Sequence, residues 1–344
     1  MKAVQIKQLT EQDVQRWDNY VEQAQAATFF HRAGWRRVLE QAFGHQGRFL
    51  YAERDGAITG ILPLGHIRSR IFGNSLVSTP FCVYGGIVAD DEAARQALEQ
   101  AAIELAQALG VDCLELRNQS PQHKDWPAKR DLYVTFRKAI DPDLDQNMQN
   151  IPRKQRAMVR KGIKAGLESA WDENIERLYD AYSQSVHALG TPVFSKRYFQ
   201  VLKQVFGDDC RILSVTQDGQ LVASVMNFYF KDQVLPYYGG GTELARAVKG
   251  NDFMYWEVMR HACETGVKVF DYGRSKVGTG SYSFKKNWGF EPEPLHYEYV
   301  LVKADAVPDV NPLNPKYRLF IGAWKKMPLA MTRMIGPHIV KNLG

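Results

Sequence analysis

The sequence predicts an α/β (α+β) protein of two similar tandem domains, each a mixed central sheet flanked by helices. Three observations predict it. First, the 344 residues are 45% hydrophobic, 12% aromatic and 24% charged, the profile of a folded chain long enough for two cores and unlike collagen, low-complexity or mini-protein sequences. Second, an Asp-Gly turn flanked by apolar runs occurs twice, in Arg48 to Leu64 and in Arg211 to Asn227. Third, Tyr84-Gly-Gly86 and Tyr238-Gly-Gly240 are each followed by a helical stretch and a short strand, and the landmarks recur at offsets of 163, 154 and 156 residues. Internal repetition at a near-constant offset marks a duplicated unit.

Along the chain, each copy reads as helices, a β-hairpin, a further strand, a glycine-bearing loop, a helix and a strand. Gly56 and Gly219 supply the positive φ that a tight two-residue hairpin loop demands. The helices are expected at 93–109 and 252–265, with strands after Gly110 and Gly266. The expected division is 1–145 for the first domain, 146–168 for a basic interdomain helix starting near Pro152, 169–305 for the second domain and 306–344 for a basic amphipathic tail. Mixed strand and helix order of this kind implies helices packed on a sheet.

The net charge of +6 is concentrated. Residues 151–167 hold six Lys and Arg and no acid, and so does the stretch after Asp309; taking these twelve charges from the total leaves the remainder at −6. Two local positive fields on an acidic body imply discrete anionic contacts more than a long nucleic-acid track. Cys82, Cys113, Cys210 and Cys263 form no CxxC pair and have no His-rich companion, so they read as free buried thiols with no metal site. No signal-peptide core and no apolar run of 18 residues is present, and a cytoplasmic chain is expected, peripheral to the inner membrane at most.

The doubled order of strand, hairpin, strand, glycine loop, helix and strand resembles the acyltransferase fold of the GNAT superfamily. With the basic segment between the copies and the motif Ser283-Phe-Lys-Lys-Asn-Trp-Gly-Phe290, the chain looks like the FemAB/FemX family of peptidoglycan-bridge aminoacyltransferases. The stretches Asn251-Asp-Phe-Met-Tyr-Trp-Glu257 and Phe270-Asp-Tyr-Gly-Arg-Ser-Lys-Val-Gly-Thr-Gly280 look like the FemAB-related subgroup associated with exosortase/PEP-CTERM and exopolysaccharide loci. The resemblance implies two GNAT-like domains and an N-acyl or aminoacyl transferase acting on an amine of a cell-envelope or exopolysaccharide precursor. It implies no tightly bound cofactor, with aminoacyl-tRNA or acyl-CoA as donor.

Candidate residues cluster after the second repeat's last strand. Asp271 can orient or deprotonate an amine, and Arg274, Ser275 and Lys276 follow it beyond the strand end, where α/β folds bind ligands. Arg274 can clamp a carboxylate or phosphate, or simply pair with Asp271. Lys285 occupies the lysine of the Phe-Lys-x-x-Trp-Gly pattern, which in the resembled family helps bind an anionic acceptor nucleotide or the acyl donor; an ammonium there also stabilises an oxyanion. Lys286 reads as a solvated neighbour, and Trp288 and Phe290 as core anchors. Asn227, Tyr238 and Tyr282 are further substrate-binding candidates. Gly240, Gly241 and Asn251 correspond to the pyrophosphate loop of CoA-dependent relatives, with Asn251 or Asp252 as helix cap, although Arg246-Ala-Val-Lys-Gly250 only partly imitates the usual glycine pattern.

On a helix, Arg153, Arg160 and Lys164 fall within about 40° of one another, with Val159 and Ile163 as an adjacent apolar edge. This stripe suits nucleotide phosphates or, as the resemblance implies, a tRNA acceptor end; a solvated face is the alternative. In the tail, Asn314 and Pro315 start a helix whose Tyr317, Phe320, Ile321 and Trp324 form an apolar face flanked by Lys316, Arg318, Lys325 and Lys326. Such a helix lies on an anionic membrane or docks on the chain itself. Two other functions fit the sequence: acetyl-CoA-dependent N-acetylation, and a non-enzymatic anion- or nucleic-acid-binding envelope protein.

Overall fold

Asp55 and Gly56, at φ 52° and 81°, join strands Leu50–Arg54 and Ala57–Leu62, and Asp218 and Gly219, at φ 48° and 77°, join Cys210–Gln217 and Gln220–Phe230. Both Asp-Gly pairs make the left-handed two-residue turns that the sequence predicts, and both hairpins are antiparallel. The computed structural model describes residues 3–69, 72–308 and 318–343. It divides into two compact units, one of residues 1–133, 294–310 and 341–344 and one of residues 134–293 and 311–340. The architecture is mixed α/β in both.

In the first unit, the hairpin belongs to a four-stranded sheet, and strand Cys113–Asn118 lies in a six-stranded one. Helix Glu92–Leu109 is capped by Asp91, whose carboxylate accepts from the Ala94 amide at 2.8 Å, and it buries Leu98, Ala102 and Ala106 at four-residue spacing. The strand that follows pairs parallel with Gly73–Ser78 and antiparallel with His296–Leu301. The expected second domain, 169–305, thus yields its last strand to the first unit. That pairing joins residues about 180 positions apart, and nothing local in the sequence announces it.

The second unit's sheet runs Glu168–Asp172, Cys210–Gln217, Gln220–Phe230, Gln233–Gly241, Val269–Asp271, Tyr133–Ala139 and Ser275–Lys276. From Glu168–Asp172 to Gln233–Gly241 successive neighbours are antiparallel, as are Val269–Asp271 and Tyr133–Ala139, whereas Gln233–Gly241 meets Val269–Asp271 in parallel, over two residue pairs only. The sequence placed 134–139 in the first domain; here it flanks Val269–Asp271, with Arg137 opposite Asp271. Helix Gly250–Glu264 covers one face, packing Met254, Val258 and Ala262 with Val225 and Phe270. Alternation along a strand sends the next residue to the other face, where Tyr238, the partner of Met226, meets Tyr182, Tyr198 and Phe199.

Two local expectations are corrected here, and for the tail one of two alternatives is supported. Tyr84-Gly-Gly86 lies in a loop, but Tyr238-Gly-Gly240 lies inside a strand, so the second copy has no glycine loop at that point. In helix Arg153–Lys164, Val159 is buried as expected, whereas Ile163 is 46% exposed and the close contact is made by Gly162 against Phe253. In the tail, Asn314, Pro315 and Tyr317 lie outside the described residues. Trp324 is 3% exposed and Ile321 packs at Gly190, so these two residues dock on the chain's own second unit, whereas Phe320 is 41% exposed.

Candidate active site

Strand Val269–Asp271 ends in a carboxylate that is 1% exposed. Asp271 Oδ1 accepts from the Gly273 amide at 2.7 Å and from Thr135 Oγ1 at 3.4 Å, and Arg137 Nε lies 3.5 Å from Oδ2. The first of these bonds folds the chain back over two residues, which is possible because Gly273 takes φ 64°. The turn aims the carbonyls of Gly273 and Arg274 at helix Gly280–Asn287, and Lys285 Nζ donates to both at 3.0 Å.

Lys285 is enclosed by aromatic rings as well. Its ammonium lies 5.6 Å from the Phe136 ring centre and 6.0 Å from that of Tyr272. Burial lowers its pKa to about 7, with Asp271 acting to raise it and Arg274 to lower it further. A protonated lysine has three donors, and the two carbonyls use two. This is a titratable group tuned to neutral pH, at the end of a sheet strand, beside a buried carboxylate.

The other predicted residues separate into those near this cluster and those elsewhere. Arg274 supplies its carbonyl to Lys285, and Ser275 is buried with a hydroxyl that has no hydrogen-bond partner among the described residues. Lys276 supplies the carbonyl to which Thr279 Oγ1 donates at 2.7 Å, and Thr279 caps helix Gly280–Asn287 by accepting from the Tyr282 amide. Tyr282 stacks edge-on with Phe136 at 5.5 Å, on the ring that also faces Lys285. Asn227 is not brought to the cluster: it sits at a β-bulge on Gln220–Phe230, which Gln233–Gly241 separates from Val269–Asp271, and it is fully buried, donating to the carbonyls of Arg211 and Val225 while its Oδ1 has no partner among the described residues.

Tyr238 bonds Tyr198 hydroxyl to hydroxyl at 2.7 Å in the aromatic cluster of the opposite sheet face. Gly240 and Gly241 lie where packing leaves no room for a side chain. A Cβ on Gly240 would stand 2.4 Å from Ser185 Cβ, and one on Gly241 would stand 2.7 Å from Asn251 Oδ1. Neither Asn251 nor Asp252 caps the helix, which begins at Gly250 after left-handed Lys249. Asp252 instead accepts from Gln155 and from Trp288 Nε1, tying the basic helix and the Phe-Lys-x-x-Trp turn to helix Gly250–Glu264. Trp288 and Phe290 are core residues as expected.

Sequence reasoning missed Thr135, Phe136 and Arg137. Their alternating apolar and polar pattern was visible, but it was assigned to the neighbouring domain. Arg137 also donates to Gln233 at 2.9 Å, bracing the strand pair that carries Asp271.

The basic helix presents a groove of about 480 Å³ lined by Arg153, Arg156, Ala157, Arg160, Lys161 and Lys164. The predicted stripe of Arg153, Arg160 and Lys164 is exposed there, and Arg156 and Lys161 widen it. Val159 and Gln155 hold the opposite side of the helix inward. Among the described residues no group of three His, Cys, Asp or Glu is placed to hold a metal, and no helix is long and apolar enough to cross a membrane.

Residues 147–286 match the acetyltransferase (GNAT) domain family. No curated protein matches the chain in sequence. Among solved structures, FemX is similar over 92% of this chain and 100% of its own, with a TM-score of 0.65 at 15% identity. A tandem GNAT protein from the clavulanic acid biosynthesis pathway is similar over 87% of this chain and 98% of its own, at TM-score 0.55 and 13% identity. L-PGS from Bacillus licheniformis is similar over 94% and 96%, at 0.52 and 12%. These likenesses are of fold, and they extend over both units. The chain carries a GNAT-type acetyltransferase domain on residues 147–286 and is an enzyme of the acyltransferase class.

Proposed function

We propose that the protein is an N-acyl or aminoacyl transferase that forms an amide on an amine of a cell-envelope or exopolysaccharide precursor, in the manner of the FemAB-related proteins of exosortase/PEP-CTERM loci. The observation that carries this reading is Lys285, held by two carbonyls beside Asp271 with its pKa near neutrality. The acceptor nitrogen attacks the donor's carbonyl carbon, the C–N bond forms, and the C–O or C–S bond to the donor breaks. The nitrogen loses a proton, and the departing hydroxyl or thiol takes one up. Lys285 as an ammonium stabilises the oxyanion of the tetrahedral intermediate, and Asp271 orients the turn that holds Lys285.

Arg274, Ser275, Lys276, Tyr282 and Asn227 would contact substrate, and Ser275 and Asn227 each carry a buried oxygen with no hydrogen-bond partner among the described residues. The buried hydroxyl bond of Tyr238 and the packing of Gly240 and Gly241 favour structural roles for those three. Two donors fit the fold, acyl-CoA and aminoacyl-tRNA. The basic groove favours the second, because five cations on one helix face match a polyphosphate strand. Mass spectrometry of envelope and exopolysaccharide intermediates from cells with and without the intact protein tests the reading. An amide-linked group present only with the protein supports it, and unchanged intermediates reject it. Titration with CoA and with aminoacyl-tRNA analogues separates the donors: tight binding of CoA alone overturns the tRNA assignment.

A further inference from the structure

Among the described residues eight large hydrophobic side chains are exposed, and four of them, Leu319, Phe320, Met331 and Met334, lie on the last two helices. Helix Leu329–Val340 leaves apolar side chains on its exposed side, with His338 among them. It buries Thr332, Gly336 and Val340 at four-residue spacing and turns Ala330, Met331 and Met334 outward, whereas a surface helix ordinarily hides its apolar stripe. The orientation is fixed from inside: a Cβ on Gly336 would stand 2.8 Å from the Val193 amide nitrogen, and Arg333 donates to Asp180 and Ser183.

Helix Arg318–Lys326 is built likewise. Trp324 and Ile321 face inward, and Leu319, 88% exposed, shares the outward side with Ala323 and Lys326. Lys325 and Lys326 end this helix, and from residue 310 onward the chain has six Lys and Arg and no acid. A second copy of this face would set like charges against each other. Exposed apolar side chains beside Lys325 and Lys326, which form no ion pair among the described residues, complement a surface that is anionic above and apolar beneath.

We propose that these two helices are a docking face for an anionic lipid bilayer. Leu319, Met331 and Met334 enter the boundary of the acyl chains, and Lys326, on the outward side, and Lys325, reaching from the edge beside Ile321, meet lipid phosphates. Docking is independent of the acyl-transfer reading, since it uses neither Lys285 nor Asp271. Flotation of the full chain with vesicles tests it. Phosphatidylglycerol–phosphatidylcholine vesicles should carry the protein upward, vesicles of phosphatidylcholine alone should carry far less, and binding should weaken with salt. Leu319→Glu with Met334→Glu, and separately Lys325→Glu with Lys326→Glu, should each weaken binding roughly tenfold or more at unchanged melting temperature. No flotation at low salt overturns the proposal, as does unchanged binding of either double variant. A dimer that Met334→Glu dissociates, without vesicle binding by the original chain, would assign the face to self-association instead.

Discussion

Lys285 and Asp271 are coupled through one glycine: Lys285 Nζ donates to the Gly273 carbonyl at 3.0 Å, and the Gly273 amide donates to Asp271 Oδ1 at 2.7 Å. The carboxylate therefore sets where the ammonium sits and also biases its ionisation, since Asp271 acts to raise the lysine pKa against burial. Either residue alone would be an ordinary buried polar group. Together they give a proton-binding site poised at neutral pH.

Activity should follow that proton. With the pKa of Lys285 lowered to about 7 and its ammonium the active form, kcat should fall as pH rises through about 7. Lys285→Met should cost roughly 10²- to 10³-fold in kcat, the scale of losing one oxyanion donor. Lys285→Arg, always charged, should lose the limb near pH 7. A rate that instead climbs through this range would make the neutral amine the working form, with Lys285 as a general base.

Stability should carry the same signature with its own sign. The unfolded lysine keeps its ordinary value near 10.5, so between about pH 7 and 10.5 unfolding takes up a proton. The Lys285 contribution to stability therefore grows as pH rises through that window and is absent below it. Urea unfolding of the original chain and of Lys285→Met, compared across that window, should show the slope in the first and not the second.

Much of this arrangement was legible in the sequence because it is local. Two Asp-Gly turns, the strand end at Asp271 and the Phe-Lys-x-x-Trp turn each depend on neighbours a few residues away. The hydrophobic pattern at Trp288 and Phe290 likewise marks core residues without reference to distant chain. Arg137 and His296–Leu301 were not legible in this way. Each is an ordinary strand segment whose partner is set by long-range pairing, Arg137 with Asp271 and His296 with Asn118. Gly240 is hard to read for a related reason. A glycine run after two tyrosines resembles a phosphate loop, and the approach of Ser185, far away in sequence, is invisible there.

Asp271→Asn separates positioning from charge. The amide oxygen still accepts from Gly273, so the turn should persist, but the attraction to Lys285 and Arg137 is lost. The alkaline limb of the activity profile should move to lower pH, and stability should fall by about 1–3 kcal/mol. Asp271→Ala removes the turn bond as well and should lower kcat further than Asn does. Equal effects of the two substitutions would show that the turn bond is not what holds Lys285.

Charge reversal on the basic helix probes the donor. Arg160 and Lys164 are exposed groove residues on the side opposite Val159, so Arg160→Glu with Lys164→Glu should leave melting within about 0.5 kcal/mol of the original chain. Binding of an aminoacyl-tRNA analogue should weaken and its salt dependence should flatten by about two contacts. Binding that is unaffected at every salt concentration would remove the groove from donor recognition.

Gly240→Ala asks whether this glycine is kept for packing or for a ligand. The added Cβ meets Ser185 Cβ at 2.4 Å and the Ala181 carbonyl oxygen at 2.9 Å, both on helix Glu176–Leu189. Backbone cannot yield as a flexible side chain would, so the helix must shift at a cost of about 1–3 kcal/mol. Ser185→Gly in the same chain removes one of the two clashes and should restore part of that loss. A glycine kept for a phosphate would behave otherwise: Ala at 240 would leave melting unchanged, weaken donor binding, and gain nothing from the change at 185. Thermal unfolding and donor titration of the two single variants and the double variant distinguish these outcomes.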